Sequence, residues 1–178
     1  MSMNELQMFL TAWDREAGNT LKLLRALPAT QYDFRPDPEG RSLGELAWHL
    51  AEADAYLSLV IETGQFNLGT KPPNIERPRK VEELAAGYER VHREAVARIS
   101  NLKLEDLDRL VPFVSGPAAI RDILWSAILA HGIHHRGQLS LMCRLAGGSV
   151  PALYGPNREE TAAMRSNAKR EPASTSAR

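Results

Sequence analysis

From Pro117 to Leu145 apolar residues recur at helical spacing, and two histidines interrupt the face they define. On a helix of 3.6 residues per turn, Leu124, Ile128, His131, His135, Gln138 and Met142 fall on one stripe, which a globular fold buries against other elements. His131 and His135 lie one turn apart and stack on that face. Two readings satisfy the ring nitrogens of a buried imidazole. Either neighbouring side chains hydrogen-bond them, or a metal takes one nitrogen while a carbonyl or carboxylate takes the other. A pair four residues apart in the middle of a stripe favours the metal. Gly116-Pro117 marks the start of this helix and Gly147-Gly148 its end. Gly132 and Gly137 inside it each cost up to ~1 kcal/mol against alanine, so they serve close packing or are tolerated defects. His134 points a quarter-turn off the pair. Arg136 points farther away, as a solvated or salt-bridged residue.

Such a helix needs partners, and the chain supplies three more. Ser2-Met3-Asn4-Glu5 has the form of a capping box and opens a helix over roughly 3–27. Leu6, Phe9, Leu10, Trp13, Ala17, Leu21, Leu24 and Leu27 form its stripe, and Pro28 stops it. The segment 29–41 is a loop with Pro36, Pro38 and Gly40, anchored by Tyr32 and Phe34. Ser42-Leu43-Gly44-Glu45 repeats the capping form and opens a second helix ending near Gly64, with Leu43, Leu46, Leu50, Ala53, Leu57 and Ile61 inward. Trp48 points away from that stripe, toward the first helix, a loop or another subunit. His49 sits at its edge, facing a neighbouring helix across a seam of ~8–10 Å. A third imidazole there can meet a metal held by the first two, but taken alone His49 reads equally well as solvent-facing or hydrogen-bonded. Gly69, Pro72, Pro73 and Pro78 break the segment 65–79, which is predicted to cross an end of the bundle. Val81, Leu84, Tyr88, Val91, His92, Ala95 and Ile99 mark a third helix, followed by a short helical or irregular connector over 101–111. Residues 157–178 carry almost no large apolar side chains and read as a mostly disordered tail, leaving 1–156 as the folded domain.

Composition bounds the function. At 178 residues, 43% hydrophobic and 25% charged, the chain has room for one core. Lys plus Arg balances Asp plus Glu at 22 each, so no global field favours nucleic acid or an acidic membrane surface. Cys143 is the only cysteine, which rules out an internal disulfide; off the histidine stripe, it reads as a small apolar filler. No apolar run approaches the ~18 residues of a membrane span, and the start lacks a signal-peptide pattern, so a soluble cytoplasmic protein is predicted. Glu89 and His92 match one Glu-x-x-His motif of carboxylate-bridged di-iron bundles, but no second copy exists. Gly132 occupies the place of the general-base glutamate in His-Glu-x-x-His, so a zincin is excluded.

Three segments together resemble the DinB-like (DinB/YfiT) superfamily. They are Phe34-Arg35-Pro36 with Arg41-Ser42-Leu43-Gly44-Glu45-Leu46-Ala47-Trp48-His49-Leu50; His131-Gly132-Ile133-His134-His135-Arg136-Gly137-Gln138-Leu139; and Gly147-Gly148-Ser149-Val150-Pro151 with Leu153-Tyr154-Gly155-Pro156. The resemblance implies an all-α, up-down-down-up four-helix bundle with crossover loops over residues 1–156, usually a homodimer. It implies His49, His131 and His135 as ligands of one divalent metal. It implies metal-dependent hydrolysis or transfer of a low-molecular-weight thiol to a small-molecule substrate, with no nucleic-acid or membrane partner. Three neutral imidazoles leave coordination positions open, which suits activation of a water or an external thiol. Zinc or nickel comes first, with iron, manganese and copper as alternatives. Glu52, Asp54, Tyr56, Tyr88, His92 and Gln138 are the candidate pocket residues for proton transfer and positioning. The competing reading is a non-catalytic metal-binding or dimeric interaction protein whose site is structural or vestigial.

Overall fold

The computed structural model describes residues 3–67 and 69–170. The first helix, α1 (Glu5–Arg25), is capped by Asn4, whose side chain accepts from the Gln7 amide at 2.9 Å while Gln7 accepts from Asn4 at 3.0 Å. The reciprocal cap therefore sits two residues later than the Ser2–Glu5 box predicts, which leaves Glu5 in the first turn where the helix dipole favours a negative charge. Ser2 and residues 171–178 lie outside the described residues. Helix α2 (Leu43–Thr63) carries the predicted Ser42–Glu45 box and ends at Gly64, whose φ of 68° is the left-handed conformation that glycine adopts without a Cβ clash. Helix α3 (Val81–Ser100) buries every residue of its predicted stripe.

Contacts between helices fix their directions. Along α2 and α3, Asp54 meets His92 and Ser58 meets Arg98 at sequence separations of 38 and 40, so the two helices run parallel. Glu5 meets Trp125 and Glu16 meets Arg136 at a separation of 120 in both, so α1 is parallel to the last bundle helix. Trp13 packs on His92 while Thr20, farther along α1, faces Tyr88, earlier in α3, across a small internal space, which makes that pair antiparallel. The result is the up-down-down-up four-helix bundle.

Parallel α2 and α3 need a connection that travels the length of a helix. The segment 64–80 does so: Phe66 contacts the Tyr56 ring, Ile75 accepts from the Trp48 indole at 3.1 Å, and Arg77 reaches Glu45. It runs backward along the side of α2 instead of crossing an end. Trp48 is buried between this strap and Gly87, where an added Cβ would fall 2.7 Å from the indole ring.

The fourth bundle helix starts later than Gly116-Pro117 suggests. Those residues turn a small hairpin in which β1 (Leu110–Val111) pairs with β2 (Ala118–Ala119), preceded by a 3-10 turn at Leu104–Asp108. The helix is then one continuous coil in three windings: α4 (Ile120–Asp122), a π-wound stretch (Ile123–Ala130) and α5 (His131–Leu145). The His131 N–H reaches back five residues to the Ser126 carbonyl. A π segment takes more residues per turn than an α-helix and re-aims the side chains that follow it. Gly132 and Gly137 have open space around an added Cβ, so close packing is not what they serve. Beyond the bundle, α6 (Arg158–Arg170) is helical where a disordered tail was predicted. Asn157 caps it, and Arg144 holds Glu159 at 2.6 Å, which offsets its lack of an apolar face.

The apolar core falls into two clusters, one around Trp48, Leu84 and Leu139, the other around Phe9, Ile61 and Ile128. Between them lies a layer of buried polar side chains: Glu16, Asp54, His92 and Arg136.

Candidate metal centre

His49 projects from α2, and His131 and His135 from the first turns of α5. Because α2 runs antiparallel to α5, the three rings meet across the seam. Their centroids are 4.3 Å apart for His131 and His135, 4.7 Å for His49 and His135, and 5.4 Å for His49 and His131. One ring nitrogen from each lies within 4.8 Å of the others, and all three residues are half-buried. Nε2 of His131 and Nε2 of His135 face each other at 2.9 Å. Two nitrogens bound to one tetrahedral ion at ~2.05 Å sit ~3.3 Å apart, so a small opening of this gap admits the ion.

The outer nitrogens decide which lone pairs point inward. His135 Nδ1 lies 2.7 Å from the Gln138 amide oxygen, an acceptor that selects the tautomer with hydrogen on Nδ1 and the lone pair on Nε2. His49 Nδ1 lies 3.6 Å from the Glu52 carboxylate, three residues along α2. His131 Nδ1 is buried and has no hydrogen-bond partner among the described residues. Burial, reinforced by the neighbouring His135 and His49, lowers the His131 pKa to about 4. Burial also lowers the His135 pKa, against the opposing pull of Gln138. Both rings are therefore held in the neutral form that a metal requires.

A cavity of about 690 Å³ opens beside His49 and His131. Tyr56, Leu57, Phe66 and Phe113 give it apolar walls, and Arg41 and Glu52 add charge near the histidines. Glu52 and Tyr56 line this cavity, while Gln138 sits outside it, against His135. The Tyr56 hydroxyl is buried and has no hydrogen-bond partner among the described residues. Tyr88, His92 and Asp54 are not on its wall. They belong to the polar layer in the core, where His92 Nδ1 and an Asp54 carboxylate oxygen are 2.9 Å apart. Burial and the Asp54 charge push the Tyr88 phenol well up, so it stays protonated.

Of the two readings given for Arg136, solvated or salt-bridged, the second holds: it pairs with Glu16, and it is buried, 2% exposed. Its guanidinium donates to the Glu16 carboxylate, to the Tyr154 hydroxyl, to the Glu16 carbonyl at 2.9 Å and to Thr20 Oγ1 at 3.1 Å. Arg41, Phe66 and Phe113 went unmarked because they come from loops whose course no local pattern states. Arg41 directly precedes the capping box of α2, which is the one signal in the sequence that places it near His49.

The model of the DinB family matches residues 1–171. The chain belongs to the DinB family. This DinB-family chain is 28% identical over 161 residues to YrdA of Bacillus subtilis (strain 168), described as uncharacterized, covering 88% of this chain and 92% of the relative. A crystal structure of a DinB-like protein from Bacillus cereus ATCC 10987 superposes with a TM-score of 0.68 at 29% identity, covering 82% of this chain and 95% of that one. A DinB-like protein of B. subtilis, YjoA, shares the fold with a TM-score of 0.65 at 21% identity, over 84% of this chain and 99% of that one. Among the described residues, no helix is long and apolar enough to cross a membrane.

Proposed function

We propose that His49, His131 and His135 hold one divalent metal ion, and that the adjoining cavity binds a small-molecule substrate for metal-dependent hydrolysis or thiol transfer. The observation that carries this reading is the donor set itself: three half-buried imidazoles whose nitrogens converge, with the His135 lone pair turned inward by Gln138. A bound zinc or nickel ion would supply Lewis acidity that makes a water or a low-molecular-weight thiol nucleophilic near neutral pH. The chain's own groups do the rest. Glu52, beside both His49 and the cavity, is placed to take a proton at its carboxylate. Tyr56 offers an unpaired hydroxyl donor to a substrate oxygen. Arg41 supplies positive charge at the histidine end. Phe66 and Phe113 keep water off the bound molecule. Homodimer formation and a cytoplasmic location remain part of this proposal.

One observation favours the non-catalytic alternative. The 2.9 Å contact between His131 and His135 is itself a satisfactory hydrogen bond between two neutral imidazoles. Screening the zinc- and nickel-loaded protein on ester and amide substrates, and on electrophiles with added thiols, separates the two. Metal-dependent turnover that disappears in His131→Ala supports the enzyme. Full metal loading with no turnover in any arm supports the non-catalytic reading.

A further inference from the structure

A second cavity of about 660 Å³ adjoins the first and shares two of its wall residues, Glu52 and Tyr56. Its outer wall is the strap over 64–80, which contributes Lys71, Arg77 and Arg79 against a single carboxylate of its own, Glu76. Glu52, the other acid, is turned toward His49 at 3.6 Å. Among the described residues, neither Lys71 nor Arg79 has a carboxylate within ion-pair distance. Arg77 pairs with Glu45 at 3.5 Å, which holds its side chain in place, yet its Nε is buried and has no hydrogen-bond partner among the described residues. The Tyr56 hydroxyl, which lines both cavities, is the second buried donor with no acceptor among the described residues.

Buried donors left unpaired are destabilising, and a folded chain keeps them where something else supplies the acceptor. Two such donors and two unpaired cations, in a space large enough for a small molecule, ask for an acceptor-rich anion. We infer that this cavity is the second lobe of the substrate site and that it receives a carboxylate or phosphate group, placing the rest of the molecule across Tyr56 toward the histidines. The inference rests on the substrate-cavity reading above and narrows it to anionic substrates or cosubstrates.

The test is a heteronuclear NMR titration of the full chain, metal-free and zinc-loaded, with benzoate, phenyl phosphate and the neutral isostere benzyl alcohol. Benzoate or phenyl phosphate should shift the Thr70, Ile75 and Arg77 amides saturably, with benzyl alcohol binding at least 10-fold more weakly. The preferred anion distinguishes a carboxylate site from a phosphate site. In the Lys71→Ala/Arg79→Ala double variant, whose fold is checked by circular dichroism, the Kd should rise at least 10-fold and metal content should stay as in the parent. Equal binding of benzyl alcohol, shifts confined to residues around Arg41 and His131, or unchanged affinity in the double variant would each overturn the inference. Failure of the three-histidine site would show as lost metal uptake and would leave the metal-free titration intact.

Discussion

Replacing Arg136 by methionine keeps most of its volume and removes its charge, leaving the Glu16 carboxylate, 5% exposed, with only the solvent-exposed Arg15 Nε at 3.4 Å as a cationic partner. Removing one member of a buried ion pair costs about 3–5 kcal/mol, because the remaining charge keeps its desolvation penalty. The Glu16 carbonyl and Thr20 hydroxyl also lose a donor, at 2.9 and 3.1 Å, which places the expected loss toward the upper half of that range. For a chain of this length each kcal/mol moves Tm by about 2–4 °C, so R136M should melt roughly 8–20 °C below the parent. Urea unfolding at pH 7.5, followed by far-ultraviolet circular dichroism, gives the free energy directly. The double variant E16Q/R136M removes the stranded charge and should recover at least half of the loss. A single variant within about 1 kcal/mol of the parent, or a double variant no better than the single, would refute the claim that these two charges depend on each other.

Three further outcomes follow from the same structure. Gln138→Leu removes the acceptor that fixes the His135 tautomer and should weaken zinc affinity by about 10–100-fold in competition with a chromophoric chelator, while leaving Tm of the metal-free chain within a few degrees. In metal-free protein His131 is protonated only near pH 4, whereas its unfolded counterpart takes a proton near ~6.5. Between those values the unfolded chain binds more protons, so stability should rise with pH across the window and flatten above it; His131→Leu should reduce the slope in chelator-treated urea titrations. Gly87→Ala drives a Cβ into the Trp48 ring and should cost about 1–3 kcal/mol, whereas Gly137→Ala, with open space at its Cβ, should gain about 0.5–1 kcal/mol of helix propensity in the same unfolding assay.

Much of the fold was legible because it rests on local periodicity. The α3 stripe from Val81 to Ile99 is buried residue for residue, and the Ser42–Glu45 cap lies where the capping form puts it. The paired histidines were equally legible, since spacing on one helix is a property of the sequence alone. His49 needed a partner helix to mean anything, and only the antiparallel packing of α2 on α5 brings its ring to theirs. The salt-bridged reading of Arg136 holds, but its burial was not legible, because charge argues for solvent until a buried carboxylate on α1 is known to stand opposite. The π winding over Ile123–Ala130 defeats a fixed 3.6-residue count, and Gln138, assigned to the buried stripe, is exposed. The strap's course along α2 follows from the parallel direction of α3, which a loop full of prolines does not announce. The helix over 158–170 has no apolar stripe to reveal it and is held by Asn157 and the Arg144–Glu159 pair instead.

Metal stoichiometry decides whether His49, His131 and His135 hold one ion together. Elemental analysis of tag-free protein after equilibration with zinc or nickel, beside His49→Ala, His131→Ala and His135→Ala, measures it most directly. About one ion per parent chain is expected, with that ion lost and the fold retained in each variant. A parent chain that takes up neither zinc, nickel, manganese nor iron would contradict it and leave the 2.9 Å contact between His131 and His135 as an ordinary hydrogen bond.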